Sequence, residues 1–301
     1  MITIKEALTK KEMKDYVMFS FELYKNNPYW IPPIIAEELE TFDKTKNPAL
    51  QTAEAHFYLA YKDNKIVGKI AAIINWEEVN LLGKRKARFG WFDAIDDIEV
   101  TKALLDKVEE LGRKHNMDHM EGPMGFSNLD KVGILSEGFD QMGNMITWYS
   151  LPYYITHFEQ LGFIKEKEYT ESDFSFNGIN PEPFQKASEL IKKRYELRSL
   201  NFTKTKDIMP YVDKMFDLFN ETYARLQSFV PINDIQKEYF KKKYIGFINP
   251  EFIKFIMDKN DNMIAFAIVM PGFAQALKKA NGKLFPFGFY HLLQARKHSK
   301  E

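Results

Sequence analysis

The stretch MEGPMGFSNLDKVGILSEGFDQMGNMITWYSLPYY, Met120 to Tyr154, runs directly into ITHFEQLGF, Ile155 to Phe163. Its first part holds five of the chain's 15 glycines, Gly122, Gly125, Gly133, Gly138 and Gly143. Glycine at that density marks backbone that turns or approaches another group closely. Here it is interleaved with acids (Glu121, Asp130, Glu137, Asp140) and aromatics (Phe126, Phe139, Trp148, Tyr149, Tyr153, Tyr154). Apolar and polar groups converging on one long loop make it a candidate pocket. Gly122, Pro123, Gly125, Phe126, Asp130, Glu137, Phe139, Asp140 and Tyr153 are its candidate substrate contacts. A glycine-rich crossover without a ligand is the competing reading. Tyr154 to Leu161 closes the stretch as a short helix, followed by Gly162, Phe163 and a strand through Phe176.

Working outward toward the amino terminus, a strand near His119 to Gly122 leads into the crossover. Before it, Asp96 and Glu99 frame a capping box, and Val100, Leu104, Val108 and Leu111 mark the buried face of the helix it opens. Ala87 to Phe92 reads as a strand. Phe57–Tyr61 and Ile66–Ile74 form a hairpin around Lys62-Asp63-Asn64-Lys65. Pro28, Pro32 and Pro33 separate a short helix near Ile34 to Thr41 from an earlier one over Lys10 to Lys25. Thr9 and Glu12 cap that earlier helix, its apolar face is Met13, Val17, Phe21 and Tyr24, and Ile2 to Ala7 alternates like a strand.

The bulk composition narrows the function classes. A chain of 301 residues, 45% hydrophobic and 15% aromatic, can bury one large core or two ordinary ones. Lys+Arg and Asp+Glu are 42 each, so no global positive field favours nucleic acid or an anionic membrane, and the expected partner is a small molecule. The absence of cysteine removes thiolate nucleophiles and disulfides and fits a cytoplasmic protein. No run approaches a membrane span. The basic run Lys84-Arg85-Lys86-Ala87-Arg88 reads as a solvated loop flanking a strand. His115 and His119 straddle a helix-to-strand junction rather than one helical face, so no metal site is expected. Ser127 lacks the glycine framing of a nucleophile elbow. Glu121, immediately before Gly122-Pro123, is the best-placed carboxylate for a general base, with pairing to a nearby cation as the equal alternative.

Beyond the turn-rich segment Asn177 to Pro183 the chain repeats itself. Glu22, Tyr24, Trp30-Ile31 and Pro32 recur 199 positions later as Glu221, Tyr223, Phe229-Val230 and Pro231. Asn47-Pro48 recurs as Asn249-Pro250, and Asp63-Asn64 with Ile66 recurs as Asp261-Asn262 with Ile264. Order and spacing together indicate a tandem duplication. The expected domains are 1–176 and an incomplete second copy, 177–301. The sheet edge left by that second copy could pair two chains into a homodimer.

The order of elements, closed by Tyr154-x-x-x-Phe158-Glu159-Gln160-Leu161-Gly162-Phe163, resembles the GNAT acyl-CoA N-acyltransferase superfamily. ARFGWFD (Ala87 to Asp93), EGPMGFSNLD, EGFD (Glu137 to Asp140), PYY (Pro152 to Tyr154) and KLFPFGFYHLL (Lys283 to Leu293) look like a bacterial group of tandem GNAT-like proteins. The resemblance implies an α/β (α+β) fold, with a mixed, mostly antiparallel sheet flanked by helices. It implies acyl-CoA or acetyl-CoA as donor and a small amine as acceptor. The family's phosphate-binding loop, R/Q-x-x-G-x-G/A, aligns with Asp93-Ala94-Ile95-Asp96-Asp97-Ile98-Glu99, where glycine is absent and carboxylates would repel phosphate. The family's general acid, a tyrosine, aligns with Phe158, leaving Tyr149, Tyr153 and Tyr154 as substitutes. The alternative to an acyltransferase is a non-catalytic binding or interaction module using the Gly122 to Tyr154 loop.

Overall fold

The computed structural model describes residues 1–127, 129–226 and 229–298. The chain divides into two compact units, Met1–Phe163 with Gln227–Val230 and Pro271–Glu301, and Ile164–Leu226 with Pro231–Met270. In the first unit the order is β1 (Ile2–Glu6), α1 (Lys10–Leu23), α2 (Ile35–Thr41), α3 (Ala49–Thr52), β2 (Ala53–Lys62), β3 (Lys65–Asn75), α4 (Trp76–Leu82), β4 (Lys86–Ala94), α5 (Ile98–Lys114), β5 (His119–Glu121) and α6 (Tyr153–Gln160). The sheet runs β1-β2-β3-β4-β5, antiparallel except for the parallel β4–β5 pair. This is the mixed, mostly antiparallel sheet flanked by helices that the resemblance implies.

Local chemistry accounts for the boundaries. The Thr9 hydroxyl accepts the Glu12 N–H and the Glu12 carboxylate accepts the Thr9 N–H, so α1 starts on a complete capping box. Asp63 and Asn64 both take positive φ, 51° and 60°, which matches a two-residue hairpin turn to the strand twist. Alternation along β3 sends Ile70, Ala72 and Ile74 toward Val100, Leu104, Val108 and Phe158, and Ala71 and Ile73 toward Tyr16, Val17, Phe42 and Phe57. Helices thus cover both faces.

Two irregularities set the path of β4 and of the crossover beside it. Lys69 pairs with Asp93 while Ala71 pairs with Gly90, so β4 carries an extra residue there, and Trp91 within it has φ 45°. A bulky residue in that region is strained and is held by its surroundings, here Phe42, Phe126 and Trp148. On its other side β4 pairs with β5 over three residues only, Lys86 to Arg88, and then the strands part. The crossover leaves through the cis peptide Gly122–Pro123 and passes so close that a Cβ on Gly90 would stand 2.3 Å from the Met124 carbonyl oxygen.

The strand expected through Phe176 does not form. Residues 164–176 have no regular structure, and Ile164, Phe174 and Phe176 are exposed. A strand persists where a neighbour completes its ladder, and no described strand pairs with this segment.

The second unit contains α7 (Glu182–Tyr195), β6 (Arg198–Asn201), α8 (Thr205–Ile208), α9 (Val212–Tyr223), α10 (Asp234–Phe240), β7 (Ile253–Met257) and β8 (Met263–Ile268). Its sheet is β6-β7-β8, antiparallel throughout, over a core that includes Ile208, Val212, Ile253 and Phe255. The repeat anchors occupy matching local structures. Asn47 Oδ1 accepts the N–H of Ala49 and Asn249 Oδ1 that of Glu251, while Asp63 and Asp261 both take positive φ in their hairpins. The chain then returns to the first unit with α11 (Ala274–Ala280) and α12 (Gly288–His298), where the Gly282 carbonyl accepts the Ile35 N–H at 2.9 Å. No described helix is long and apolar enough to cross a membrane.

Candidate functional site

Beside the bulge, the first unit gathers a buried polar cluster around Asp93. Ser20 Oγ donates to Asp93 Oδ2 at 2.6 Å and the Tyr24 hydroxyl to Oδ1 at 2.7 Å. The Tyr154 hydroxyl reaches Oδ1 at 3.2 Å and accepts the Ala94 N–H at 3.0 Å. Lys69 Nζ lies 3.6 Å from Oδ2. Each element supplies its residue by periodicity. Ser20 lies one turn before Tyr24, the residue that caps the carboxyl end of α1, Lys69 and Asp93 face each other across the β3–β4 ladder, and Tyr154 is the second residue of α6. The other side of Tyr24 is walled by Trp30, stacked at 5.2 Å, and Tyr149, edge-on at 6.0 Å.

The electrostatics keep the phenols neutral. Burial first, then the Asp93 charge, pushes Tyr24 and Tyr154 well above the ordinary tyrosine value. Both are proton donors over the physiological range, and neither can serve as a base there.

The residues singled out in the sequence fall into four places. Tyr154 joins Asp93, and Tyr149 touches the cluster through Tyr24 while its own hydroxyl donates to the Phe139 carbonyl at 2.8 Å. Tyr153 sits beside Tyr154 and donates to the Ala94 carbonyl at 2.7 Å. Phe126 is buried against Trp91, and Pro123 accepts the Gly133 N–H through its carbonyl. Gly122 and Gly125 are required by close approach, since a Cβ would stand 2.4 Å from the Phe89 carbonyl oxygen and 2.3 Å from Asp130 Cβ, respectively. Asp130 itself accepts the Ser127 N–H. Glu137 and Asp140 are exposed.

Glu121 takes the paired alternative. It contacts Lys86 Nζ, which also lies 3.0 Å from Glu78 Oε1, while Glu78 Oε2 accepts from Arg88 Nε at 2.8 Å. Lys86 and Arg88 are therefore buried, not part of a solvated loop, because the strand begins at Lys86 and points alternate residues at Glu78 on α4. Phe158, where the resemblance expects a tyrosine, stacks on Phe89 in the core.

The amino end of α5 does not fit a pyrophosphate. Its N-cap is Asp97, one residue later than the capping box predicts; the Asp97 carboxylate accepts the Glu99 N–H and pairs with Lys62 at 2.8 Å. Asp96 pairs with His157. Carboxylates thus occupy the positive end of the helix dipole, where an anion would bind.

Ser20, Lys69 and Asp93 were not among the sequence candidates. Lys69 had a legible signal, a single charge inside the apolar run Ile66 to Ile74. Asp93 and Ser20 had none, since their meeting depends on long-range packing.

No family model matches the chain. It is 27% identical over 295 residues to Protein YghO of Escherichia coli (strain K12), spanning 96% of this chain and 73% of that protein. It is 24% identical over 287 residues to the bacterial ceramide synthase of Caulobacter vibrioides (strain NA1000 / CB15N), spanning 95% and 74%. Among solved structures, a tandem GNAT protein from the clavulanic acid biosynthesis pathway (without AcCoA) matches 88% of this chain and 73% of its own at TM-score 0.46 and 11% identity. A predicted acetyltransferase with acetyl-CoA from Clostridium acetobutylicum matches 57% and 96% at TM-score 0.34 and 12% identity.

Proposed function

We propose that the chain is an acyltransferase-like protein whose first unit joins an acyl group to a small amine at the Asp93 cluster. The observation that carries this reading is the placement of Tyr154. A phenol kept protonated by burial and by Asp93, and fixed by the Ala94 N–H, stands beside the bulge just beyond the point where β4 and β5 part. Of the three tyrosines in the closing stretch, it is the one bonded to that carboxylate. Asp93 orients Ser20, Tyr24 and Tyr154, and Trp30 and Tyr149 exclude water on the flank. Similarity to a protein named as a ceramide synthase fits acyl transfer to an amine, since a ceramide is an amide. The donor class is an acyl thioester of the coenzyme A kind, held by its acyl end because Asp97 closes the helix end that would take its phosphates.

That closed helix end also favours a second reading, a binding module without turnover. Titration calorimetry with acetyl-CoA and with CoA, followed by thiol release in the presence of an amine panel, separates the two. Acyl transfer predicts acetyl-CoA binding near micromolar, about −8 kcal/mol. It also predicts that Tyr154→Phe lowers turnover roughly 10²–10⁴-fold, as expected for loss of a positioned proton donor. No heat and no thiol release from folded protein would leave the binding module.

A further inference from the structure

Two buried polar groups beside Asp93 are left out of its hydrogen-bond network, and they adjoin each other. Tyr16 is wholly buried, and among the described residues its hydroxyl has no hydrogen-bond partner. Its ring is fixed edge-on against Phe42 at 5.3 Å and Phe57 at 5.8 Å. Lys69, with its side chain 6% exposed, has Asp93 Oδ2 at 3.6 Å as its one ionic partner among the described residues, and its Nζ lies 5.0 Å from the centre of the Tyr16 ring. Tyr16 precedes Ser20 and Tyr24 by one and two turns on α1, so the same helical stripe that serves Asp93 presents it. Burial, then the charges of Asp93 and Glu38, raises the Tyr16 phenol well above its ordinary value, so it remains a donor. An orphaned buried hydroxyl is costly, and native structures retain one where something else satisfies it.

We propose that the Tyr16 hydroxyl and the Lys69 ammonium form a two-donor subsite for a carbonyl oxygen, that of the acyl group to be transferred. This rests on the acyl-transfer reading and names the part of the substrate the subsite holds. Both groups donate, which selects an acceptor atom. Charge then separates the two acceptor chemistries. Asp93 already balances Lys69, so a carboxylate would leave the pocket with an uncompensated buried charge, whereas a neutral carbonyl would not. The same two donors would stabilise negative charge that builds on that oxygen during attack by the amine.

The test observes Tyr16 directly and needs neither turnover nor phosphate binding. Protein carrying 13Cζ-tyrosine is titrated with S-acetyl-N-acetylcysteamine, a thioester without a nucleotide, and with the matching S-ethyl thioether, which lacks the thioester carbonyl. Tyr16→Phe assigns the resonance by deleting it. The expected result is a saturable shift of the Tyr16 signal with the thioester and none with the thioether, and at least tenfold weaker thioester binding in Tyr16→Phe. Thermal stability of that variant should be unchanged or raised, since the hydroxyl removed has no partner within the described chain. An unmoved Tyr16, as expected if a buried water satisfies it, overturns the subsite. Equal shifts with thioester and thioether overturn it as well, and a response to acetate but not to thioester would replace the carbonyl with a carboxylate. A Tyr16 response without acyl transfer to any amine would sink the acyl-transfer reading and leave the subsite standing. Acyl transfer with an unmoved Tyr16 would do the reverse.

Discussion

Glu78 sits between two buried cations. It faces both Lys86 and Arg88, and all three side chains are almost fully buried. Glu121 offsets one of the two cations, so removing the Glu78 charge leaves one positive charge uncompensated in low dielectric. Glu78→Gln should therefore destabilise the first unit by about 3–5 kcal/mol, measured by urea denaturation. Glu54 supplies a pH dependence. Burial alone would raise its carboxyl, but hydrogen bonds from His56, His115 and Lys114 outweigh burial and lower it from 4.5 to about 2. A carboxyl lowered on folding stabilises fully above its unfolded value and loses that contribution as pH falls through the folded one. Stability should drop between roughly pH 4.5 and 2, and Glu54→Gln should flatten that part of the curve. The candidate site was only half legible at this scale. Tyr154 could be named from the closing helix. Asp93 could be placed only against a phosphate loop, because its role depends on residues 73 and 69 positions away in sequence, Ser20 and Tyr24.

Elements were more legible than their meetings. α1, the β2–β3 hairpin and α5 follow from capping residues, a turn pair and an apolar stripe, all local signals. The strand after Phe163 was wrongly expected, because local β propensity says nothing about whether a ladder partner exists. β4 is the element on which the site depends, and its closeness to the crossover is testable. Gly90→Ala would drive a methyl group into the Met124 carbonyl and should cost about 1–3 kcal/mol by urea denaturation. Gly246→Ala is the contrasting case, with φ −67° and nothing within 4 Å of the added Cβ. It should be neutral or stabilising by less than about 1 kcal/mol.

For the whole molecule, the segment joining α6 to α7 is a long exposed stretch outside regular structure. Brief trypsin digestion followed by mass spectrometry should find its first cut at Lys165 or Lys167. A first cut within α5 would contradict that order of accessibility. The return of α11 and α12 to the first unit has a different consequence. Gly282 closes against Phe21 so tightly that a Cβ there would stand 2.6 Å from its ring, and its carbonyl takes the Ile35 N–H. On the ribosome, Phe21 and Ile35 emerge early and their partner late. At about 5–20 residues per second the gap is roughly 10–50 seconds. Before that interval ends the second unit, contiguous but for Gln227–Val230, is wholly synthesised, since it stops at Met270, ahead of α11 and α12 of the first unit. The nascent protein completes its middle before its beginning.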